Sequence, residues 1–113
     1  MVESDLKKKI KEYIESRGGF WSLVQGGAYS KPGDPDLIMC YKSRHVGLEA
    51  KTFSGRPSAI QKRRKRELEM AGGIYIFPRS LNDVARVMDF IDEEEVELKR
   101  YDIESEEKGQ EGQ

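Results

Sequence analysis

The chain has few of the residues that build disulfide-bonded or zinc-binding proteins. Its 113 residues include one cysteine, Cys40, and one histidine, His45. A single cysteine cannot form an internal disulfide and favours a reducing, cytoplasmic setting. One cysteine and one histidine without metal-ligand spacing also disfavour a zinc site.

Long apolar runs and a nucleotide-binding loop are missing as well. No stretch is long and apolar enough for a transmembrane helix, and the residues after Met1 lack the regions of a signal peptide, so we expect no membrane association. No G-x-x-x-x-G-K-[ST] motif is present, which disfavours a nucleotide cofactor. Hydrophobic residues make up 36% of the chain, which predicts one compact domain with a small core. A partner subunit would help such a domain to bury apolar surface.

The charges are numerous and unevenly distributed. The net charge is −1, yet residues 1–88 carry 17 Lys and Arg against 10 Asp and Glu, whereas residues 89–113 carry 3 against 11. The first part is therefore basic enough to approach a polyanion, and the second would repel one. We predict a folded domain over residues 1–91 and an acidic, partly disordered tail over residues 92–113.

Hydrophobic periodicity and breaker residues predict a mixed α/β order. We expect helices over residues 4–17 and 58–71 and a third from Ser80, with Ser58 as an N-cap and Asp83 completing a variant capping box with Ser80. Strands are expected over residues 20–24, 36–41, 46–52 and 74–77, with a turn over residues 42–45. The pattern predicts a small mixed β-sheet of about four strands flanked by helices, with a helical crossover between two parallel strands.

Two short motifs place acidic and basic residues on neighbouring strands. Asp36 begins one predicted strand, and Glu49 and Lys51 lie on the next, separated by Ala50 and therefore on one face. Two carboxylates form a site for Mg²⁺ or Mn²⁺, and a lysine beside it can offset charge that develops on a phosphate. The motifs therefore indicate phosphodiester hydrolysis. The alternative is that Asp36 begins a turn and Glu49 with Lys51 forms an exposed ion pair.

A basic segment follows these motifs. From Lys51 to Arg66 the sequence has seven cations and no acid, a composition typical of contact with nucleic-acid phosphates. A solvated helix face and a nuclear-localisation run are the alternatives, and five consecutive cations cannot all face one ligand. The candidate contact residues are Lys31, Arg56, Ser58, Lys62, Arg63, Lys65 and Arg66. Gln61, in the same helix, would orient the attacking water. The alternative is that Gln61 is an ordinary surface glutamine.

Taken together, these motifs form an ordered series. The series comprises Glu3 at the start of the first helix, G-x-P-D at residues 33–36, E-x-K at residues 49–51, and G-x-x-S-x-x-Q at residues 55–61. In order and spacing it resembles the virus-type replication-repair nuclease domain (VRR-NUC) of the PD-(D/E)XK nuclease superfamily. The resemblance covers about residues 3–91 and implies a restriction-endonuclease-like core.

The resemblance also implies roles for individual residues. Asp36, Glu49 and the Ala50 carbonyl would bind the divalent metal, Lys51 would be catalytic, and Gln61 would belong to the site. Glu3 matches an acid of the first helix that can join the metal, although two further acids, Glu12 and Glu15, lie on the same helix.

The implied activity is that of a structure-selective DNA endonuclease that uses Mg²⁺ or Mn²⁺. Similar stand-alone domains look like viral or phage proteins of DNA repair, which would place this one in the host-cell cytoplasm, and some resemble homodimeric enzymes that cut Holliday junctions. One alternative is a non-catalytic nucleic-acid-binding module that keeps the nuclease fold. The other is a nuclease that acts on DNA ends or flaps.

Overall fold

A computed structural model describes residues 2–24 and 31–94. Their elements are α1 (Glu3–Ser16), β1 (Phe20–Leu23), β2 (Leu37–Tyr41), β3 (Arg44–Leu48), α2 (Ala59–Met70), β4 (Ile74–Ile76) and α3 (Leu81–Glu93). The strands form one sheet in the order β1-β2-β3-β4. The predicted mixed α/β fold is confirmed.

The sheet combines antiparallel and parallel pairing. β1 pairs antiparallel with β2, and β2 antiparallel with β3, whereas β3 and β4 are parallel because α2 carries the chain back between them. The predicted parallel unit is thus present. Since β3 and β4 run in the same direction, the segments that follow both strands lie at one end of the sheet.

The hydrophobic core lies between one face of the sheet and helices α1 and α3. Each of these helices contributes three buried apolar residues at helical spacing, and alternate residues of β2 and β3 face them. The core residues include Leu6, Ile10, Ile14, Leu37, Met39, Val46, Leu48, Val84, Met88 and Ile91. Helix α2 contains no buried residue and packs beside β4.

The turn between β2 and β3 is tighter than the sequence suggested. The predicted turn over residues 42–45 is wrong in extent, because Arg44 already pairs with Tyr41 in the ladder and only Lys42 and Ser43 connect the strands. Both have positive φ, 46° and 69°. A two-residue turn with this backbone normally carries Asn-Gly or a similar pair, and Lys42-Ser43 does not match that pattern.

Helix beginnings were predicted with mixed success. Ser58 is the N-cap of α2, as expected, and its hydroxyl accepts the Gln61 N–H while the Gln61 side chain accepts the Ser58 N–H. Ser80 is the N-cap of α3, but its side chain makes no capping bond. The predicted capping box is wrong because the Asp83 carboxylate accepts the N–H of Arg79 instead.

The domain division at residue 91 stays a prediction. Helix α3 continues to Glu93, and Glu94 pairs with Arg44 of β3. The predicted acidic tail lies outside the described residues from residue 95 onward. Among the described helices, none has the length and hydropathy needed to cross a membrane.

Candidate metal centre and active site

The ladder between β2 and β3 brings the two predicted metal ligands together. Leu37 is the partner of Leu48 in this antiparallel pair, so Asp36, just before β2, lies next to Glu49, just after β3. The Asp36 N–H donates to Glu49 Oε2 at 2.9 Å. Asp36 and Glu49, thirteen residues apart in the sequence, therefore lie together at one end of the sheet.

Helix α1 adds a third carboxylate. Glu3, Asp36 and Glu49 each offer an oxygen, and these oxygens all lie within 4.8 Å of one another. Glu3 is in the first turn of α1, which packs over the sheet through the buried face that begins at Leu6. Of the candidates Glu3, Glu12 and Glu15 on α1, the structure places Glu3 in the cluster. Glu15 lies elsewhere and accepts a hydrogen bond from Trp21 Nε1–H.

Lys51 completes the arrangement predicted from the E-x-K motif. Its Nζ lies 3.9 Å from Glu49 Oε1, and its side chain is 14% exposed. Ala50, between the two, points the other way and is buried in the core. The backbone continues the parallel pairing, since Glu49 N–H donates to the Ile76 carbonyl and Lys51 N–H to that of Pro78. The alternative of an exposed surface ion pair is therefore wrong for Glu49, which is 5% exposed.

Burial sets the electrostatics of Glu49. Loss of hydration raises the pKa of its carboxyl group above the ordinary value, and the nearby charge of Asp36 acts in the same direction. The hydrogen bond from the Asp36 backbone and the positive charges of Lys51 and Lys7 oppose this. A cation bound between the carboxylates would favour the ionised form.

Lys7 is a site residue that the sequence analysis missed. Its Nζ donates to Asp36 Oδ2 at 2.7 Å and lies 3.7 Å from Glu3 Oε1. The hydrogen bond to Asp36 is the main cause that raises the pKa of Lys7. A signal was available, because Lys7 follows Glu3 by four residues and so shares its helix face.

The loop before Asp36 is fastened to helix α2. Arg64 Nε lies 3.1 Å from Asp34 Oδ1, and the Arg64 guanidinium donates to the Pro32 carbonyl at 3.2 Å. The hydroxyl of the buried Tyr75 donates to the Gly33 carbonyl at 3.0 Å. Gly33 has φ +87°, and a Cβ there would meet Ile60 at 2.7 Å, so only glycine fits. These contacts fix the approach to Asp36.

The structure divides the basic run between two environments. Arg64 and Lys65 contact the protein itself: Arg64 holds the loop, and Lys65 pairs with Glu69 and donates to the Tyr75 carbonyl. Arg63 is exposed and pairs with Glu67. The other predicted contact residues that are exposed are Lys31, Arg56, Ser58, Lys62 and Arg66. As expected for consecutive cations on a helix, the five from Lys62 to Arg66 do not all lie on one face of α2.

Gln61 makes its described side-chain contact at the start of helix α2. Its side-chain oxygen accepts the Ser58 N–H at 2.9 Å and closes the capping box. Among its described contacts, the glutamine therefore has a structural role at the start of α2.

Comparisons with known proteins agree with this geometry. No family model and no curated protein matches the chain. A solved structure described as a VRR_NUC domain matches with a TM-score of 0.66 and 22% identity, over 77% of this chain and 94% of that one. This confirms the predicted resemblance at the level of structure. The chain has the fold of this VRR_NUC domain.

Proposed function

We propose that this protein is a metal-dependent DNA endonuclease of the VRR-NUC type that hydrolyses phosphodiester bonds. The observation that carries the proposal is the convergence of Glu3, Asp36 and Glu49 within 4.8 Å, with Lys51 beside Glu49. Sharing the fold of a VRR_NUC domain supports it.

The carboxylate cluster fits a divalent cation with oxygen ligands. Mg²⁺ binds oxygens at about 2.1 Å, so ligands around it lie about 3–4 Å apart, close to the spacing of this cluster. The donors are all carboxylate oxygens, which favours Mg²⁺ or Mn²⁺ over softer metals. Glu3, Asp36 and Glu49 would hold the ion, and the Ala50 carbonyl is a further proposed ligand. Such an ion supplies Lewis acidity and lowers the pKa of water.

The residues of the chain perform the remaining tasks. Lys51 places an ammonium group where negative charge develops on the phosphorus, and its low exposure strengthens that interaction. The Asp36 N–H fixes one oxygen of Glu49. Exposed cations at Lys31, Arg56, Lys62, Arg63 and Arg66 would hold the DNA backbone, with Ser58 and Lys65 near them. Gln61 would contribute through its side-chain NH₂ group, because the capping bond uses only the oxygen.

We further propose a homodimer that acts on branched DNA such as Holliday junctions. Edge strand β1 exposes Phe20 and Leu23, at 68% and 48%, which a second subunit would cover. Two sites held at a fixed spacing would recognise DNA by shape. The proposal also includes a viral or phage origin and a role in DNA repair. It includes a cytoplasmic location, which the free cysteine Cys40 favours.

The test is cleavage of a labelled synthetic four-way junction beside linear duplex, single strand and a flap. Each reaction is run with Mg²⁺, with Mn²⁺ and with chelator, and sedimentation gives the subunit number. Paired symmetric cuts in the junction that need metal would support the whole proposal. Metal-dependent cutting of flaps or ends would keep the nuclease and discard the junction substrate. Binding of DNA without cleavage in any metal would indicate a binding module instead.

A further inference from the structure

A cation of the protein itself already sits among the proposed metal ligands. Lys7 Nζ is 2.7 Å from Asp36 Oδ2 and 3.7 Å from Glu3 Oε1, and its side chain is 29% exposed. The second lysine of the site, Lys51, instead lies beside Glu49. Each of the three carboxylates thus has an ammonium within 4 Å.

The position of the Lys7 ammonium beside Asp36 is incompatible with a divalent ion bound to the same oxygen. Asp36 Oδ2 is an oxygen that the ion would use, and two cations that share one oxygen repel each other strongly where water is partly excluded. The ammonium is also able to move, because it is carried on a flexible four-carbon stem and the described partners that hold it are Asp36 and Glu3, both on the surface of the site.

We propose that Lys7 is a displaceable counter-cation that couples metal binding to DNA binding. In the metal-free protein it neutralises Asp36 and Glu3 and weakens the site for divalent ions. When an ion enters, the ammonium moves from Asp36 to a phosphate of the bound DNA. This inference rests on the proposed function and adds to it a regulatory residue that the E-x-K motif does not contain.

The coupling follows from thermodynamic reciprocity. If DNA provides a phosphate for Lys7, bound DNA lowers the cost of displacing the lysine and tightens the metal, and the metal must tighten DNA by the same factor. A metal ion would then be held firmly only with substrate present. Lys7 is a positioning residue in this scheme, and Asp36 is the group through which it acts.

The test measures Ca²⁺ binding by calorimetry, because Ca²⁺ takes the same oxygen ligands and affinity needs no turnover. Wild type is compared with Lys7→Gln, Lys7→Arg and the control Lys8→Gln, which removes the same charge from the adjacent exposed residue. Each is titrated alone and with a saturating DNA duplex. Thermal unfolding in chelator establishes that every variant folds.

We expect Lys7→Gln alone to bind Ca²⁺ about tenfold more tightly than wild type, a typical coupling. The increase in Ca²⁺ affinity caused by DNA should be smaller in Lys7→Gln and unchanged in Lys8→Gln. Lys7→Arg keeps the charge and should resemble wild type. Asp36→Asn, which removes a proposed metal ligand, should lose Ca²⁺ binding. If it does, and Lys7→Gln binds Ca²⁺ no more tightly than wild type, this inference alone is overturned. Absence of Ca²⁺ binding by wild type both alone and with saturating DNA, and by Lys7→Gln, would overturn the proposed metal site and the inference together.

Discussion

Glu49 shows how the site and the fold make opposite demands on one residue. Its side chain is 7% exposed, and burial raises the pKa of its carboxyl group. A carboxylate in that position is less favourable in the folded chain than in water, so Glu49 lowers the stability of the metal-free protein at neutral pH. Such strain is common where charge is kept for binding or catalysis.

We therefore expect Glu49→Gln to raise the melting temperature in chelator at pH 7. The amide oxygen can still accept the Asp36 N–H, while the buried charge is removed. Because the pKa of Glu49 is raised, the advantage over wild type should appear as pH rises through that pKa and vanish in acid, where Glu49 is protonated. The same variant should lose Ca²⁺ binding. A lower melting temperature for Glu49→Gln at pH 7 would show that the charge stabilises the fold.

The predictability of the site follows from how its residues are arranged along the chain. Asp36, Glu49 and Lys51 could be predicted because strand alternation and hairpin pairing are short-range rules. Helical spacing places Lys7 beside Glu3, but its contact with Asp36 depends on where α1 lies over the sheet, which helical spacing alone does not specify. Gln61 shows that one residue can fit both a functional motif and a structural one, because its side chain closes the capping box of α2, and its place in the active site stays a prediction.

Among the elements, helix α2 has two separate tasks. Its inner cations hold the loop before Asp36, chiefly through Arg64, whose side chain is 18% exposed. Its outer cations, such as Arg66, face solvent. The sequence shows one run of five cations, and only the packing of α2 beside β4 separates the charges that contact the protein from those that face solvent.

Arg64→Gln should destabilise the fold by about 1 kcal/mol, because Asp34 and the Pro32 carbonyl lose their partner. It should also slow cleavage, since Asp36 follows this loop directly. Denaturant unfolding measures the first effect and single-turnover kinetics the second. Equal stability of Arg64→Gln and wild type would show that the loop is held by its other contacts.

Arg66→Gln is the matched variant with the opposite expected profile. We expect unchanged stability, weaker DNA binding, and a salt dependence of binding that is shallower by about one counterion. Fluorescence anisotropy over a range of salt concentrations measures this. An unchanged salt slope would remove Arg66 from the proposed DNA surface.

The sheet shows where local sequence patterns stop being informative. Short apolar runs predict the strands, but β3 ends at Leu48, before the expected residue 52. The chain still follows the ladder through Glu49 and Lys51, with backbone bonds to the segment after β4. The strand expected over residues 46–52 therefore includes this extension, but the sequence does not show that it bonds to Ile76 and Pro78.

At the scale of the whole molecule, a second ionic cluster lies among the ends of α1, α3 and the β2–β3 turn. The Asp92 carboxylate accepts hydrogen bonds from the Lys42 ammonium, the Tyr41 hydroxyl and Arg17. Arg17 also pairs with Asp89 and donates to the Tyr13 hydroxyl. The cluster joins helices α1 and α3 to the hairpin, so it supports the layer that carries Glu3 and Lys7.

Asp92 gives the fold a defined response to acid. The hydrogen bond from Lys42, and then that from Tyr41, lowers the pKa of its carboxyl group. Its contribution to stability is therefore complete above the unfolded pKa of about 3.9 and is lost as pH falls through the lower folded pKa.

Asp92→Asn should melt below wild type at pH 7, and the difference should disappear near pH 2. Thermal unfolding at several pH values measures it, with Glu93→Gln, an exposed neighbour, as control. A difference that stays constant down to pH 2 would mean that the carboxylate charge is not the source.

The most direct test of the central proposal is the single-turnover rate of DNA cleavage by Lys51→Ala, with enzyme in excess and metal present. The control is Lys9→Ala, an exposed lysine of α1. We expect Lys51→Ala to bind DNA nearly as well as wild type and to cleave it about 100- to 1,000-fold more slowly, because the ammonium acts on charge that develops during the reaction. Lys9→Ala should cleave like wild type. Cleavage by Lys51→Ala at the wild-type rate would contradict the proposed active site.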